Sequence, residues 1–97
     1  MKLSEMWRQA AKELKQGKYV FYDPETDTHC AHGALIHYTN GHESCSSAGT
    51  GRGLFLQSDD VFEAVLKFND HTRIIKTNDE LGWSFEDFAK KAEELGL

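Results

Sequence analysis

Four histidines and two cysteines crowd the middle of this chain: His29, His32, His37 and His42, with Cys30 and Cys45. Imidazole nitrogen and thiolate sulfur are the usual ligands of zinc, so a metal centre is the first chemistry to weigh. The spacing argues against it. There is no C-x-x-C pair and no H-E-x-x-H helix face. On one helix, Cys30 and His37 would lie two turns apart, about 10 Å along the axis, too far to share an ion. His29 and His32, three residues apart, could bind together only if a third ligand arrived. No metal and no other cofactor is expected.

A thiol nucleophile is the second chemistry. Cys30 falls among Ala31, Ala34 and Leu35, on a face expected to be buried, where a thiol stays protonated and inert. Cys45 lies near His42 in a glycine-rich stretch, where an activated pair would lack supporting contacts. The zinc-deaminase signature, H-x-E with P-C-x-x-C, is missing. Catalysis therefore ranks below binding, and no catalytic residue is assigned.

Anion binding is the third. In Gly49-Thr50-Gly51-Arg52-Gly53, Arg52 is the only basic residue between Lys18 and Lys67. Glycines let backbone amides turn toward an anion, and a guanidinium fork grips phosphate or carboxylate. The stretch is neither a Walker A loop nor a dinucleotide fingerprint, and a plain flexible tether is the competing reading. A small nucleotide-like anion would meet Arg52 and Thr50, with His32, His37 and Tyr38 as walls.

The elements that position these residues read as mainly helical. Leu3, Met6, Trp7, Ala10, Ala11 and Leu14 recur at three- and four-residue spacing, with Ser4 as the expected N-cap and Gly17 as the stop. Tyr19-Val20-Phe21-Tyr22 is rich in strand formers and precedes a turn around Pro24. Its expected partner is Leu54-Phe55-Leu56, since a lone strand leaves its backbone groups unsatisfied. Thr28 to Tyr38 reads as a second helix capped by Asp27 or Thr28. Cys30, Ala31, Ala34, Leu35 and Tyr38 share its inner face, and Gly33 and Ala34 are smooth enough for a neighbouring helix to approach.

Residues 40–53 carry four of the eight glycines and read as a long loop, the kind that is usually functional or disordered. Ser58 or Asp59 would cap a third helix with Val61, Phe62, Val65, Leu66 and Phe68 inward. Asn69-Asp70-His71-Thr72 interrupts it, and Ile74-Ile75 supplies one further turn. Ser84-Phe85-Glu86-Asp87 is a capping box, with Asp where Glu or Gln is usual, for a last helix lined by Phe85, Phe88, Ala89, Ala92 and Leu95. The expected fold is one domain over residues 1–97. It is a compact bundle of four to five short helices, with room for one two-stranded element pairing residues 19–22 with 54–56.

Two stretches carry a resemblance: Cys30-Ala31-His32-Gly33-Ala34-Leu35, and Asn78-Asp79-Glu80-Leu81-Gly82-Trp83-Ser84-Phe85-Glu86-Asp87-Phe88. After an amphipathic first helix, they resemble a family of small bacterial and phage proteins of unknown function. In that family the pieces read C-A-x-G-A-[LI] and W-N-D-x-x-G-R-T-x-E-E-V. The first helix and these two stretches, in that order, are the three segments that carry the resemblance. Thr77 stands where the family pattern has Trp, Trp83 where it has Arg, and residues 40–57 have no counterpart. The resemblance implies a helical domain of phage or mobile-element origin and carries no activity. From the residues themselves, Asn78-Asp79 is expected to be a structural turn, with Gly82 at positive φ.

Composition sets the remaining bounds. An apolar fraction of 39% with 28% charged residues is ordinary for a globular domain. No apolar run reaches the roughly 20 residues that span a bilayer, and MKLSEMWRQAAKEL lacks a signal-peptide core, so no membrane association is expected. Two cysteines are too few for a disulfide scaffold, and a reducing cytoplasm is the expected location. Net charge is −5: residues 1–18 carry +3 and leave −8 on the rest, which disfavours nucleic acid. The leading expectation is a non-enzymatic, phage-type interaction protein that occupies a host protein. The second is a binder that sequesters a small nucleotide-like anion at the 40–57 loop, completed by a homo-oligomer interface if copies associate. A metalloprotein or Cys/His enzyme ranks third.

Overall fold

The N-terminal apolar stripe forms helix α1 (Leu3–Glu13), in a computed structural model that describes residues 2–40 and 59–97. Leu3, Met6, Trp7 and Ala10 are fully buried on one side, whereas Ala11 faces solvent. Ser4 is itself buried and caps nothing. Lys2 holds the N-cap position without a side-chain bond, which corrects the expected cap. The helix also ends before Gly17, because Leu14 turns extended and the chain passes directly into a strand.

That strand is β1 (Lys15–Gln16), and with β2 (Tyr22–Asp23) and β3 (Thr28–His29) it forms a small sheet of order β1-β3-β2. β1 runs parallel to β3, with Gln16 opposite His29. β2 runs antiparallel to β3, with Tyr22 opposite His29 and Asp23 opposite Thr28. Of residues 19–22 Tyr22 alone is in a strand, and its partner among the described residues is β3, a pairing the sequence reading did not include. Leu54–Leu56 lie outside the described residues. The turn at Pro24 works as expected. The Asp23 carboxylate accepts the Glu25 N–H at 2.9 Å, and Asp27 adopts φ +53°, a conformation its short polar side chain tolerates.

Helix α2 (Ala31–Asn40) starts three residues later than expected, because Thr28 and His29 are committed to β3. Neither Asp27 nor Thr28 caps it. The Cys30 sulfur accepts the Gly33 N–H at 3.3 Å, and the remote Asn78 side chain accepts the Ala31 N–H at 3.0 Å. The smooth surface at Gly33 is used, but by the Phe21 backbone and not by a helix. A Cβ there would stand 1.9 Å from the Phe21 carbonyl oxygen.

Helix α3 (Asp59–Asn69) buries Val61, Val65 and Phe68, half-buries Phe62, and leaves Leu66 exposed, against its expected inward position. The Asn69 side chain then accepts the Ile74 N–H at 3.0 Å and starts α4 (Ile74–Lys76). α4 runs straight into a π-helical turn, Thr77–Leu81, which ends at Gly82 with φ +72°. Helix α5 (Phe85–Glu94) begins with the expected capping box: the Ser84 hydroxyl accepts the Asp87 N–H, and the Asp87 carboxylate accepts the Ser84 N–H. The architecture is mainly α with a minor sheet.

α1 packs along α5 and against α2. At their junction Trp7 meets Phe68 and Phe88, each with ring centroids 5.1 Å away, and its indole N–H donates to the Ala31 carbonyl at 3.0 Å. Aromatic rings supply large buried area, and the one polar atom of this ring is satisfied. The other side of α2 carries the sheet and the π-helical turn, which frame the site below.

Candidate functional site

The π-helical turn places its middle residues where they reach three other elements. Asn78 is 0% exposed. Its Oδ1 accepts from Ala31 N at 3.0 Å and from Gln16 Nε2 at 2.7 Å. Its Nδ2 donates to the Gly17 carbonyl and to Asp79 Oδ1, each at 2.9 Å. One amide therefore ties β1, the chain after it and the start of α2 to the segment before α5. The role is structural, but three of its four partners, the Ala31 N–H, the Gly17 carbonyl and the Gln16 side chain, lie far along the chain, and only Asp79 belongs to the local turn.

The neighbouring carboxylate does something different. Asp79 Oδ1 also accepts the Tyr19 N–H at 2.9 Å. Tyr19 has φ +72°, a left-handed conformation that costs a bulky side chain about 1–2 kcal/mol, and the residue is 78% exposed. A backbone held in that well by an anchored carboxylate, with the aromatic ring left in solvent, is the kind of strain found at recognition sites.

Tyr19 forms one wall of an open groove of about 660 Å³. Ile74 and Ile75 line it, together with Arg73, Lys76 and Glu80 from α4 and the π-helical turn. Asn69, Asp79 and His32 complete the lining. Ile75 is partly exposed, and His32 is 1% exposed, its ring 5.1 Å from that of Phe21. Lys76 and Glu80 face each other at 4.0 Å across solvent, a pair that contributes little. The Lys18 ammonium lies over Gly82. The volume falls within the range that holds a small ligand or a side-chain anchor of a partner.

The residues expected to form one site are divided. His32 lines the groove. His37 and Tyr38 do not: they belong to a separate row of rings running Tyr22, His29, His37, Tyr38, with centroids 4.7, 5.0 and 4.9 Å apart. His29 sits on β3, not on the helix, so its three-residue spacing from His32 has no helical meaning, and the two rings stack on different partners. The Tyr38 hydroxyl donates to Glu13 Oε2 at 2.9 Å, and burial together with that carboxylate pushes its ionisation up. Arg52, Thr50, Cys45 and His42 lie outside the described residues, as does the 40–53 loop but for Asn40.

Cys30 is 3% exposed, and burial, opposed by the Gly33 N–H on its sulfur, pushes its thiol up to about 11. Among the described residues, no group of three or more His, Cys, Asp or Glu side chains is placed to hold a metal ion. Nor is any helix there long and apolar enough to cross a membrane.

Tyr19, Arg73, Ile75 and Lys76 carry no site signal in the sequence, and Asp79 reads there as part of a structural turn. The run Tyr19-Val20-Phe21-Tyr22 argued for extended backbone, and nothing local signals a positive φ at residue 19. Compared with models of known protein families, with characterised proteins and with solved structures, the chain finds no match in any of the three.

Proposed function

We propose that the chain is a non-enzymatic interaction domain that engages a partner protein through the groove beside Tyr19. One observation carries this reading: an exposed aromatic ring mounted on a strained backbone that Asp79 clamps in place. Tyrosine offers broad contact area at low entropic cost, and pre-organised aromatic anchors dominate the energetics of protein interfaces. The partly exposed Ile75 continues the contact surface along α4. A phage-type protein that occupies a host protein would use such a face; the motif resemblance suggests the origin alone, and the step to that role is analogy.

The same groove also suits the second reading, sequestration of a small nucleotide-like anion, whose expected seat at the 40–57 loop lies outside the described residues but for Asn40. Arg73 and Lys76 stand there beside a tyrosine ring on which a base could stack.

The test exploits the backbone strain. Tyr19→Gly removes the ring while adopting φ +72° without penalty, so thermal stability should stay level or rise slightly. Photo-crosslinking from position 75 in a lysate of the producing cells should yield one stoichiometric protein adduct, and Tyr19→Gly should remove it. An adduct pattern identical with and without Tyr19 would sink the proposal. A thermal midpoint raised by ATP and insensitive to protein partners would favour the anion.

A further inference from the structure

From the order of charges along the groove, we infer that its occupant is a second copy of this chain, seated across a two-fold axis with the two α4 segments antiparallel. This inference rests on the interaction-domain reading above and names the partner. The lining carries Arg73 and Lys76 at one end of a short strip and Asp79 and Glu80 at the other. The donors to Asp79, Tyr19 N–H and Asn78 Nδ2, are neutral and leave its charge in place. Lys76 and Glu80, 4.0 Å apart, are both well exposed and stay open to a second partner. The strip is therefore neutral in sum but ordered in sign, with about 10 Å of helical rise between Arg73 and Glu80.

Such a strip selects its occupant by polarity. A uniformly acidic segment meets repulsion at one end and a uniformly basic one at the other, so the matching surface carries the same charges in reverse order. A copy of the chain turned by a two-fold axis presents them, with Arg73 of each copy opposite Glu80 of the other. An isologous contact requires this self-complementarity. Each copy carries −5, so two copies repel in most placements, and a strip of zero sum lets them meet without like charges facing. Apolar surface gathers at the same place. Among the described residues, the exposed large apolar side chains are Tyr19, Val20, Leu66, Ile75 and Leu81. Tyr19 and Ile75 line the groove, Val20 and Leu81 adjoin lining residues in the chain, and Leu66 alone does neither. Apolar residues grouped in this way mark an interaction face, and Tyr19 is the anchor each copy offers the other.

Sedimentation velocity of the purified chain, from micromolar to millimolar concentration, reads the self-association directly. A reversible monomer–dimer equilibrium is expected. Arg73→Glu alone, and Glu80→Arg alone, should each weaken the dimer by roughly tenfold or more, because the two-fold axis makes every substitution count twice. An equimolar mixture of these two variants should associate again, since opposite charges then face each other across the axis. Tyr19→Gly should weaken the dimer in any mixture. Circular dichroism of each variant should match the unaltered protein, since all three side chains are exposed.

A chain that stays monomeric at millimolar concentration overturns the inference, as does a dimer indifferent to both charge reversals. A mixture of the two variants that fails to associate overturns the antiparallel arrangement and the inference with it, and so does growth beyond the dimer, which a closed two-fold contact forbids. If the purified chain is monomeric while position 75 crosslinks to a different protein in a Tyr19-dependent way, the interaction reading stands and only the second copy is lost.

Discussion

Asn78 is the residue on which most distant parts of this chain converge. Replacing it with alanine leaves the buried Ala31 N–H and the Gly17 carbonyl without their partner. Each such loss costs about 1–3 kcal/mol, so Asn78→Ala should destabilise the fold by about 2–6 kcal/mol. For a domain whose total margin is on the order of 5–10 kcal/mol, that is a severe loss. A urea denaturation midpoint within error of the unaltered protein would show that the amide is dispensable. Cys30 makes the complementary prediction. Its thiol, raised by burial to about 11, should resist iodoacetamide in the native state at pH 8 and react readily in urea, read on the Cys30 peptide by mass spectrometry. Equal rates in the two states would mean that α2 does not start as described. Because the folded value is raised, this group's contribution to stability is full below the ordinary thiol value of 9.0 and is lost as pH climbs toward 11.

At the scale of the element, both well-formed helix starts that the tertiary structure governs are capped by amides from elsewhere. Asn78 serves Ala31, and the Gln16 side chain accepts the Phe85 N–H at 2.8 Å. α5 has its own local cap as well, so its start is doubly held. Hydrogen bonds from the Ser84 backbone, then its hydroxyl, hold the Asp87 carboxyl below its ordinary range. The sign follows: this contribution is present above the unfolded carboxylate value and is lost as pH falls through the lowered folded one. Ser84→Ala should cost about 1 kcal/mol at neutral pH, and the difference from the unaltered protein should shrink below pH 4. Denaturation curves at the two pH values check this; a gap that widens on acidification contradicts the capping geometry. Gly33 is an element-scale constraint of another kind. Its missing side chain lets the Phe21 backbone lie directly on α2, which in turn brings the following β2 beside β3.

Across the whole molecule, one aromatic junction joins the two halves of the chain. Trp7 from α1, Phe68 from α3 and Phe88 from α5 meet with centroids between 5.1 and 6.1 Å apart. Trp7→Ala should cost about 3–5 kcal/mol, whereas Trp7→Phe keeps a ring and forfeits mainly the bond to Ala31. Equilibrium unfolding should rank them in that order, and an unaltered midpoint for Trp7→Ala would place the core elsewhere. The two helices that supply Trp7 and Phe88 are those with the clearest 3.6-residue periodicity, α1 and α5. This is why their inner stripes could be read from the chain, with only Ala11 of α1 misassigned and Leu14 and Leu95 half-buried.

That legibility has a physical boundary. Periodicity, the capping box at Ser84 and the positive φ at Gly82 are settled by interactions within about one helical turn, and the amino-acid order displays them directly. The start of α2, the partner of Tyr22, the left-handed backbone at Tyr19 and the division of the histidines were decided by contacts across the fold. The Asn78–Gln16 bond spans 62 positions and the Asp79–Tyr19 bond 60. Residue types announce a local preference, such as the strand-forming run from Tyr19 to Tyr22. A carboxylate delivered from a distant π-helical turn can overrule that preference, because one well-placed hydrogen bond to an otherwise strained backbone outweighs a propensity of a few tenths of a kcal/mol per residue, about the scale on which strand formers differ.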